Sequence, residues 1–345
     1  MNYFEKLLRP NIQQLKPYSS ARDEYSGEAA VFLDANENPF NDPYNRYPDP
    51  YQRILKQKLA AIKGVDAASI LLGNGSDEPI DIVYRAFCEP GVDNVVSIDP
   101  TYGMYQVAAD INNIKVRKVL LTSDFQIDVS GMLAAVDANT KLMWLCSPNN
   151  PTGNCLKTED IEALLKNFSG MVILDEAYID FAPEKSFLKR LHEFPNLIIL
   201  QTLSKAWGMA GLRLGMAFTS PELVKVFNKI KYPYNINILT QGKVLDLLSL
   251  ETQKEAWVKM LLNERQVLSA ELAKLSFVKH QYPSDSNFVL VKTIGARKIY
   301  QYLVDNKVIV RDRSSVALCE DCLRITVGSP EENKELLDAL KSYQA

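Results

Sequence analysis

Short runs of aliphatic and β-branched residues alternate with amphipathic stretches through the first two-thirds of the chain. That is the pattern of a parallel sheet with crossover helices. Ser69–Leu72, Asn94–Ile98, Leu142–Cys146, Met171–Leu174 and Leu197–Gln201 read as strands, and Pro79–Phe87 and Thr158–Asn167 as helices. The second helix is expected to open on a Thr158 cap, with Glu159 and Asp160 in its first turn. Met171–Leu174 is apolar throughout, as a strand covered on both faces should be. Unusual polar loops follow the strand ends: GNGSDE, DPTYGMY, SPNNPTG, DEAY and SKAWGMAGLRLG. Open α/β sheets bind ligands beyond the carboxyl ends of their strands.

After Pro233 the pattern changes to a long helical region from about Thr240 to Leu275. There follow a strand at Asn287–Val291, a helix near Arg297–Asp305, strands at Val308–Val310 and Leu323–Val327, and a surface helix at Glu331–Tyr343. The expected architecture is therefore α/β: a large domain with a mostly parallel central sheet covered by helices, plus a smaller α+β domain. The division is an arm over residues 1–30 packing with the small domain, a large domain over 31–240, and the small domain over 241–345.

Composition narrows the classes. The chain has 345 residues, 47% of them apolar and 23% charged, which suits a globular protein with a large core. Its net charge of −3 is spread along the chain, which argues against nucleic acid or an anionic membrane as the main partner. No apolar run approaches a membrane span, and the N-terminus is a poor signal peptide, so a cytoplasmic location is expected. Five cysteines include the C-x-x-C pair Cys319 and Cys322, but His192 and His280 are the only histidines, too few to complete a zinc site at suitable spacing. Two reduced thiols beside a buried strand are the expectation.

The strand-end loops carry candidate chemistry. An enzyme that handles amines through an aldehyde cofactor needs a lysine, a carboxylate that keeps a pyridine nitrogen protonated, and donors for a phosphate. Lys205 lies just past one predicted strand and Asp175 ends the preceding one. The GNGSDE turn would aim the backbone N–H groups of Ser76 and Asp77 at an anion on a helix N-terminus. Each residue alone is unremarkable, because a lysine after a strand is usually solvated and an aspartate there usually caps a turn. The Gly73-x-Gly75 pair is not a dinucleotide fingerprint, because Glu78 stands at the third glycine position.

SPNNPTG, DEAY and SKAWGMAGLRLG, in that order and with 30 residues from Asp175 to Lys205, resemble the fold-type I aminotransferases. The resemblance implies pyridoxal 5'-phosphate as cofactor, linked covalently to Lys205, which then moves a proton at the substrate Cα. It implies that Asp175 pairs with the pyridinium nitrogen, Asn150 and Tyr178 bond the ring hydroxyl oxygen, Tyr102 stacks on the ring, and Arg213 and Ser204 hold the phosphate. LDANENPF, NRYPDP, PTYGMY, VRDRS and CLRITVG narrow the likeness to the histidinol-phosphate aminotransferases, over nearly the whole chain. That family implies a homodimer with shared active sites, in which Tyr47 reaches the partner subunit's cofactor phosphate. Arg324 and Arg311 would bind the anionic end of the substrate, with Asn36 near the mouth.

The implied reaction moves the amino group of histidinol phosphate to 2-oxoglutarate, giving imidazole acetol phosphate and glutamate. Guanidinium forks suit both a phosphate and a carboxylate. The rival readings are an aminotransferase of aromatic or other amino acids, a decarboxylase of threonine-phosphate type, and a non-catalytic cofactor-binding regulator. The last normally carries a DNA-binding unit, and no basic helix-turn-helix segment is evident.

Overall fold

The computed structural model describes residues 3–18 and 30–344. Its larger part is built on a seven-stranded sheet in the order β1-β7-β6-β5-β4-β2-β3. The strands are β1 (Ile70–Asn74), β2 (Asn94–Asp99), β3 (Lys115–Leu120), β4 (Thr140–Cys146), β5 (Met171–Asp175), β6 (Leu197–Thr202) and β7 (Leu214–Phe218). All five expected strands are present. β3 was hidden because its sequence, KVRKVL, carries the charges that protect a sheet edge. β7 lies against the SKAWGMAGLRLG loop and is antiparallel to both neighbours, whereas the pairs among β2 to β6 are parallel.

Alternate residues of these strands enter two different cores, as a period of two requires. Leu72, Val96, Met143, Leu145, Val172, Leu174 and Ile199 face one core; Leu71, Val95, Leu142, Trp144, Ile173, Ile198 and Leu200 face the other. Helices cover both. Arg53–Lys63 and Thr158–Asn167 contribute Leu55, Leu59, Ile161 and Leu164 to the first core; Asp77–Phe87, Met104–Ile111 and Pro221–Ile230 contribute Ile80, Val83, Tyr105 and Phe227 to the second. In the helix Thr158–Asn167, Lys157 holds the cap position and Thr158 is already helical, so the expected Thr158 cap is not used.

The smaller unit has a four-stranded antiparallel sheet ordered β10-β11-β9-β8: β8 (Val278–Gln281), β9 (Phe288–Thr293), β10 (Arg311–Asp312) and β11 (Cys322–Thr326). The strand expected at Val308–Val310 begins at Arg311 instead. One face of this sheet packs Val289, Val291, Leu323 and Ile325 on Leu268 and Leu272 of the helix Glu251–Leu272 and on the C-terminal helix Pro330–Ser342. The other face sends Leu290 and Cys322 into the large core and Phe288 against Tyr178.

Two expectations about domains need correction. The described start of the arm does not pack with the small unit: Phe4, Leu8 and Ile12 fill the core around Ile80, Tyr84 and Phe227, and Arg9 pairs with Glu89 at 3.0 Å. Its apolar residues at spacings of four match the groove beside Asp77–Phe87. Residues 19–29 of the arm lie outside the described residues. The division at 240/241 also falls too early, because Val244 and Leu248 belong to the large core and the first residue packed on the small unit's own core is Leu261.

Candidate active site

Because β1 and β4 to β6 run in one direction, the loops after them meet at a single edge. β7 runs the opposite way, so Arg213, the residue before its start, joins the same edge. Its carbonyl accepts from Gly75 N at 2.8 Å. There a cavity of about 750 Å³ is lined by Ser76, Asp77, Tyr102, Asn150, Asp175, Tyr178, Ser204, Lys205 and Arg213, together with Arg311, Arg313 and Arg324 from the small sheet. Eleven of the expected site residues therefore converge, although they span about 250 positions of sequence.

Asp175 forms the floor. It is 2% exposed, and its two carboxylate oxygens accept from Tyr105 OH at 2.6 Å and Ala177 N at 2.9 Å. Burial raises its pKa to about 6, against the lowering pull of those two donors. No cation is ion-paired with it among the described residues, so it suits a protonated ring nitrogen brought by a cofactor. Tyr105 stacks on Trp144 at 4.8 Å, and Trp144 on Tyr84, which locks the hydroxyl in place. Sequence reasoning passed over Tyr105, yet DPTYGMY carries two tyrosines three residues apart, and that spacing was the available signal.

Beside Asp175, Glu176 is buried and turned away from the cavity. It accepts from Ser186 Oγ and Phe187 N at 2.7 Å each and from Gln201 Nε2 at 2.8 Å, and burial lifts its pKa to about 7. Asn149, also buried, accepts from Thr101 Oγ1 at 3.0 Å and donates to Pro100 O at 2.9 Å, tying the Tyr102 loop to the Asn150 loop.

Lys205 follows β6 and presents its side chain to the cavity, its Nζ 5.4 Å from the centre of the Tyr178 ring. Desolvation, then repulsion from Arg324, lowers its pKa, while Asp175 pulls the other way. Asn150 donates to Tyr178 OH at 3.3 Å, and Arg324 Nη1 donates to Asn150 Oδ1. The three form a chain across the cavity wall. Burial pushes the Tyr178 hydroxyl well above its ordinary value, so it remains a donor.

At the other end, the helix Asp77–Phe87 opens on Ser76 with no side chain capping its first N–H groups. Arg213 lies over this turn, 3.5 Å from Asp77 Oδ2, in a left-handed backbone conformation (φ 53°). Glycine permits the approach: a Cβ on Gly75 would lie 2.4 Å from Arg213 Nη2, and one on Gly215 would lie 2.3 Å from Ser76 N. A helix N-terminus, an arginine and Ser204, whose backbone N is fixed by Thr202 Oγ1 at 3.1 Å, make a cradle for a phosphate.

Tyr47 and Asn36 do not line this cavity. They share a second one, of about 490 Å³, with Glu37, Arg46, Tyr234 and Asn237, where Tyr47 stacks on Tyr234 at 4.5 Å. Asn36 is therefore among the residues lining this second cavity and not among those lining the Lys205 cavity of its own chain. Cys319 and Cys322 are buried free thiols. Among the described residues no cluster of His, Cys, Asp or Glu is suited to a metal, and no helix is long and apolar enough to cross a membrane.

A mostly parallel seven-stranded sheet with a lysine, a buried carboxylate and a phosphate cradle at its carboxyl edge defines the fold-type I class of pyridoxal-phosphate enzymes. The family model for aminotransferase class I and II matches residues 25–340. The histidinol-phosphate aminotransferase of Bacteroides thetaiotaomicron is 58% identical over 345 residues, and that of Parabacteroides distasonis 57% over 344, each covering all of both chains. The solved histidinol-phosphate aminotransferase of Sinorhizobium meliloti, in complex with pyridoxal-5'-phosphate, is 27% identical with a TM-score of 0.79, covering 86% of this chain and 83% of that one. The chain belongs to the class I and II aminotransferase family.

Proposed function

We propose that this protein transfers the amino group of histidinol phosphate to 2-oxoglutarate, as a pyridoxal-phosphate-dependent step of histidine biosynthesis. The observation that carries the reading is the wall of Arg311 and Arg324 on the same cavity as Lys205 and Asp175. One end of the site handles an amine, and the other takes an anion that is a phosphate in one half-reaction and a carboxylate in the next. The relatives named above support the same substrate.

When bound, pyridoxal phosphate supplies an electron sink for the charge that develops at the substrate Cα. Asp175 would hold the proton on the ring nitrogen. A carboxylate a few ångströms from that cation contributes about 4 kcal/mol at an intermediate dielectric. Arg213, Ser204 and the N–H groups of Ser76 and Asp77 would anchor its phosphate, Tyr102 would pack on the ring, and Asn150 and Tyr178 would hold its hydroxyl oxygen. Lys205, with its lowered pKa, takes and returns the proton at Cα.

The reading includes a homodimer working in the cytoplasm, with Tyr47 and Asn36 completing the partner's site. Exposed apolar residues around them support a covered face: Leu33 is 91% exposed and Phe40 77%.

The test is a panel of amino donors with 2-oxoglutarate: histidinol phosphate, phenylalanine, tyrosine and threonine phosphate, followed by glutamate formation and CO₂ release. Histidinol phosphate is expected to give the highest kcat/KM without CO₂. A preference for phenylalanine or tyrosine, or CO₂ from threonine phosphate, would overturn it.

A further inference from the structure

The small sheet brings more charge to the cavity than Arg311 and Arg324 alone. Arg311 of β10 lies directly opposite Arg324 of β11, and Arg313 N donates to Cys322 O at 2.8 Å, extending the ladder by one pair. Residues directly opposite on an antiparallel pair share a face, as do residues two apart on one strand. Arg311, Arg313 and Arg324 therefore point the same way, while Leu323 and Ile325 point into the small core. All three arginines line the Lys205 cavity.

Like charges in this arrangement repel. Among the described residues no carboxylate is ion-paired with any of the three, and no hydrogen bond from the Arg313 side chain is made. The Nε atoms of Arg313 and Arg324 are buried without a partner. Burial, then the charges of Arg324 and Arg311, bring the Arg313 pKa down to about 10, which leaves it charged at neutral pH. Buried donors such as these two Nε groups are costly in the folded chain unless a partner satisfies them.

The chemistry of the anion decides what a third arginine adds. A carboxylate has two oxygens and one charge, and two guanidinium forks saturate it. A phosphate monoester has three terminal oxygens and close to two charges. We infer that Arg313 is a third anion-binding arginine of the substrate site, and that it favours a phosphate monoester over a carboxylate at the same position. This rests on the function proposed above.

The test measures the two half-reactions separately in the holoenzyme, with histidinol phosphate and with glutamate, for wild type, Arg313→Gln and Arg313→Lys. Inorganic phosphate binding is titrated calorimetrically alongside. A lost charge-assisted bond corresponds to roughly 10- to 100-fold. In Arg313→Gln the ratio of kcat/KM for histidinol phosphate over glutamate is expected to fall by about tenfold or more, and phosphate binding to weaken similarly. Arg313→Lys should retain most of both and reports on charge if Arg313→Gln does not fold. A ratio and a phosphate Kd within about threefold of wild type in the folded variant, or an equal loss on both substrates, would overturn the assignment. If wild type does not use histidinol phosphate, the proposed function fails on its own, and the phosphate titration still decides the role of Arg313.

Discussion

The floor and the arginine wall of the cavity are both polar and both partly buried, but they are built on opposite plans. At the floor the two buried carboxylates already have their donors within the chain: Asp175 takes Tyr105 and Ala177, and Glu176, turned away behind it, takes Ser186, Phe187 and Gln201. On the wall, Arg311, Arg313 and Arg324 have no ion-paired carboxylate among the described residues; Arg324 Nη1 donates to Asn150, but the Nε atoms of Arg313 and Arg324 are buried without a partner. A satisfied network is rigid and fixes where a cofactor ring must lie. An unsatisfied one stores its hydrogen bonds for whichever anion arrives, as alternating phosphate and carboxylate substrates demand.

The sharpest way to break the comparison is at the floor. Lys205→Ala is expected to lower turnover by about 10⁴-fold and to abolish borohydride fixation of the cofactor. Retained fixation would move the attachment to another lysine. Asp175→Asn should keep the cofactor but lose roughly three orders of magnitude in kcat. Near-normal turnover would remove Asp175 from the ring nitrogen.

The same variant tests the electrostatics. The Asp175 pKa is raised from the ordinary 3.8 to about 6, so the folded apoprotein binds more protons than the unfolded chain between those values. Stability from this group is full below pH 4 and declines as pH rises to 6, by about 3 kcal/mol. Apo Asp175→Asn should therefore resist urea better than the wild-type apoprotein at pH 8, with the gap closing towards pH 4. A gap independent of pH would contradict the shift.

On the wall, Arg324→Gln should cost roughly 10- to 100-fold in kcat/KM for anionic substrates while leaving cofactor absorbance unchanged. A changed absorbance would mean that Arg324 acts through Asn150 on the cofactor and belongs with the floor. Tyr105→Phe should cost about tenfold in kcat. Its hydrogen bond lowers the Asp175 pKa, so its loss should move the acid limb of the pH–rate profile upward. An unmoved limb would make Tyr105 a packing residue only. The smallest effect is expected from Tyr47→Phe, a loss of cofactor affinity of about tenfold or less. Hybrid dimers of Tyr47→Phe and Lys205→Ala chains should concentrate both defects in one site and leave the other intact, and no change in cofactor affinity would separate Tyr47 from the partner's phosphate.

Local pattern carried far in some places and not in others. The five central strands were legible because apolar runs covered on both faces leave little ambiguity. β3 was not, because edge protection makes its composition resemble a loop. Lys205 and Asp175 were readable because each sits where a strand ends, and Asn150 and Tyr178 through the resemblance that SPNNPTG and DEAY carry. Tyr105 was not, since a tyrosine facing a buried carboxylate looks like any core aromatic until its hydroxyl is seen 2.6 Å from Asp175. Arg313 was not singled out within VRDRS, because nothing in that segment tells whether its side chain faces the cavity or the solvent.

By itself the sequence determined the alternation of strands and helices, the loops at the strand ends, and the residue types fit for amine chemistry, because each of these is written within a few neighbouring positions. The tertiary structure alone decided which way β7 runs and hence that Arg213 reaches the cradle. It decided that the arm packs on the large core, that Asn36 and Tyr47 leave their own chain's cavity, and that three arginines share one face. These depend on pairing direction and strand register, which join residues far apart in the chain and which no local pattern encodes.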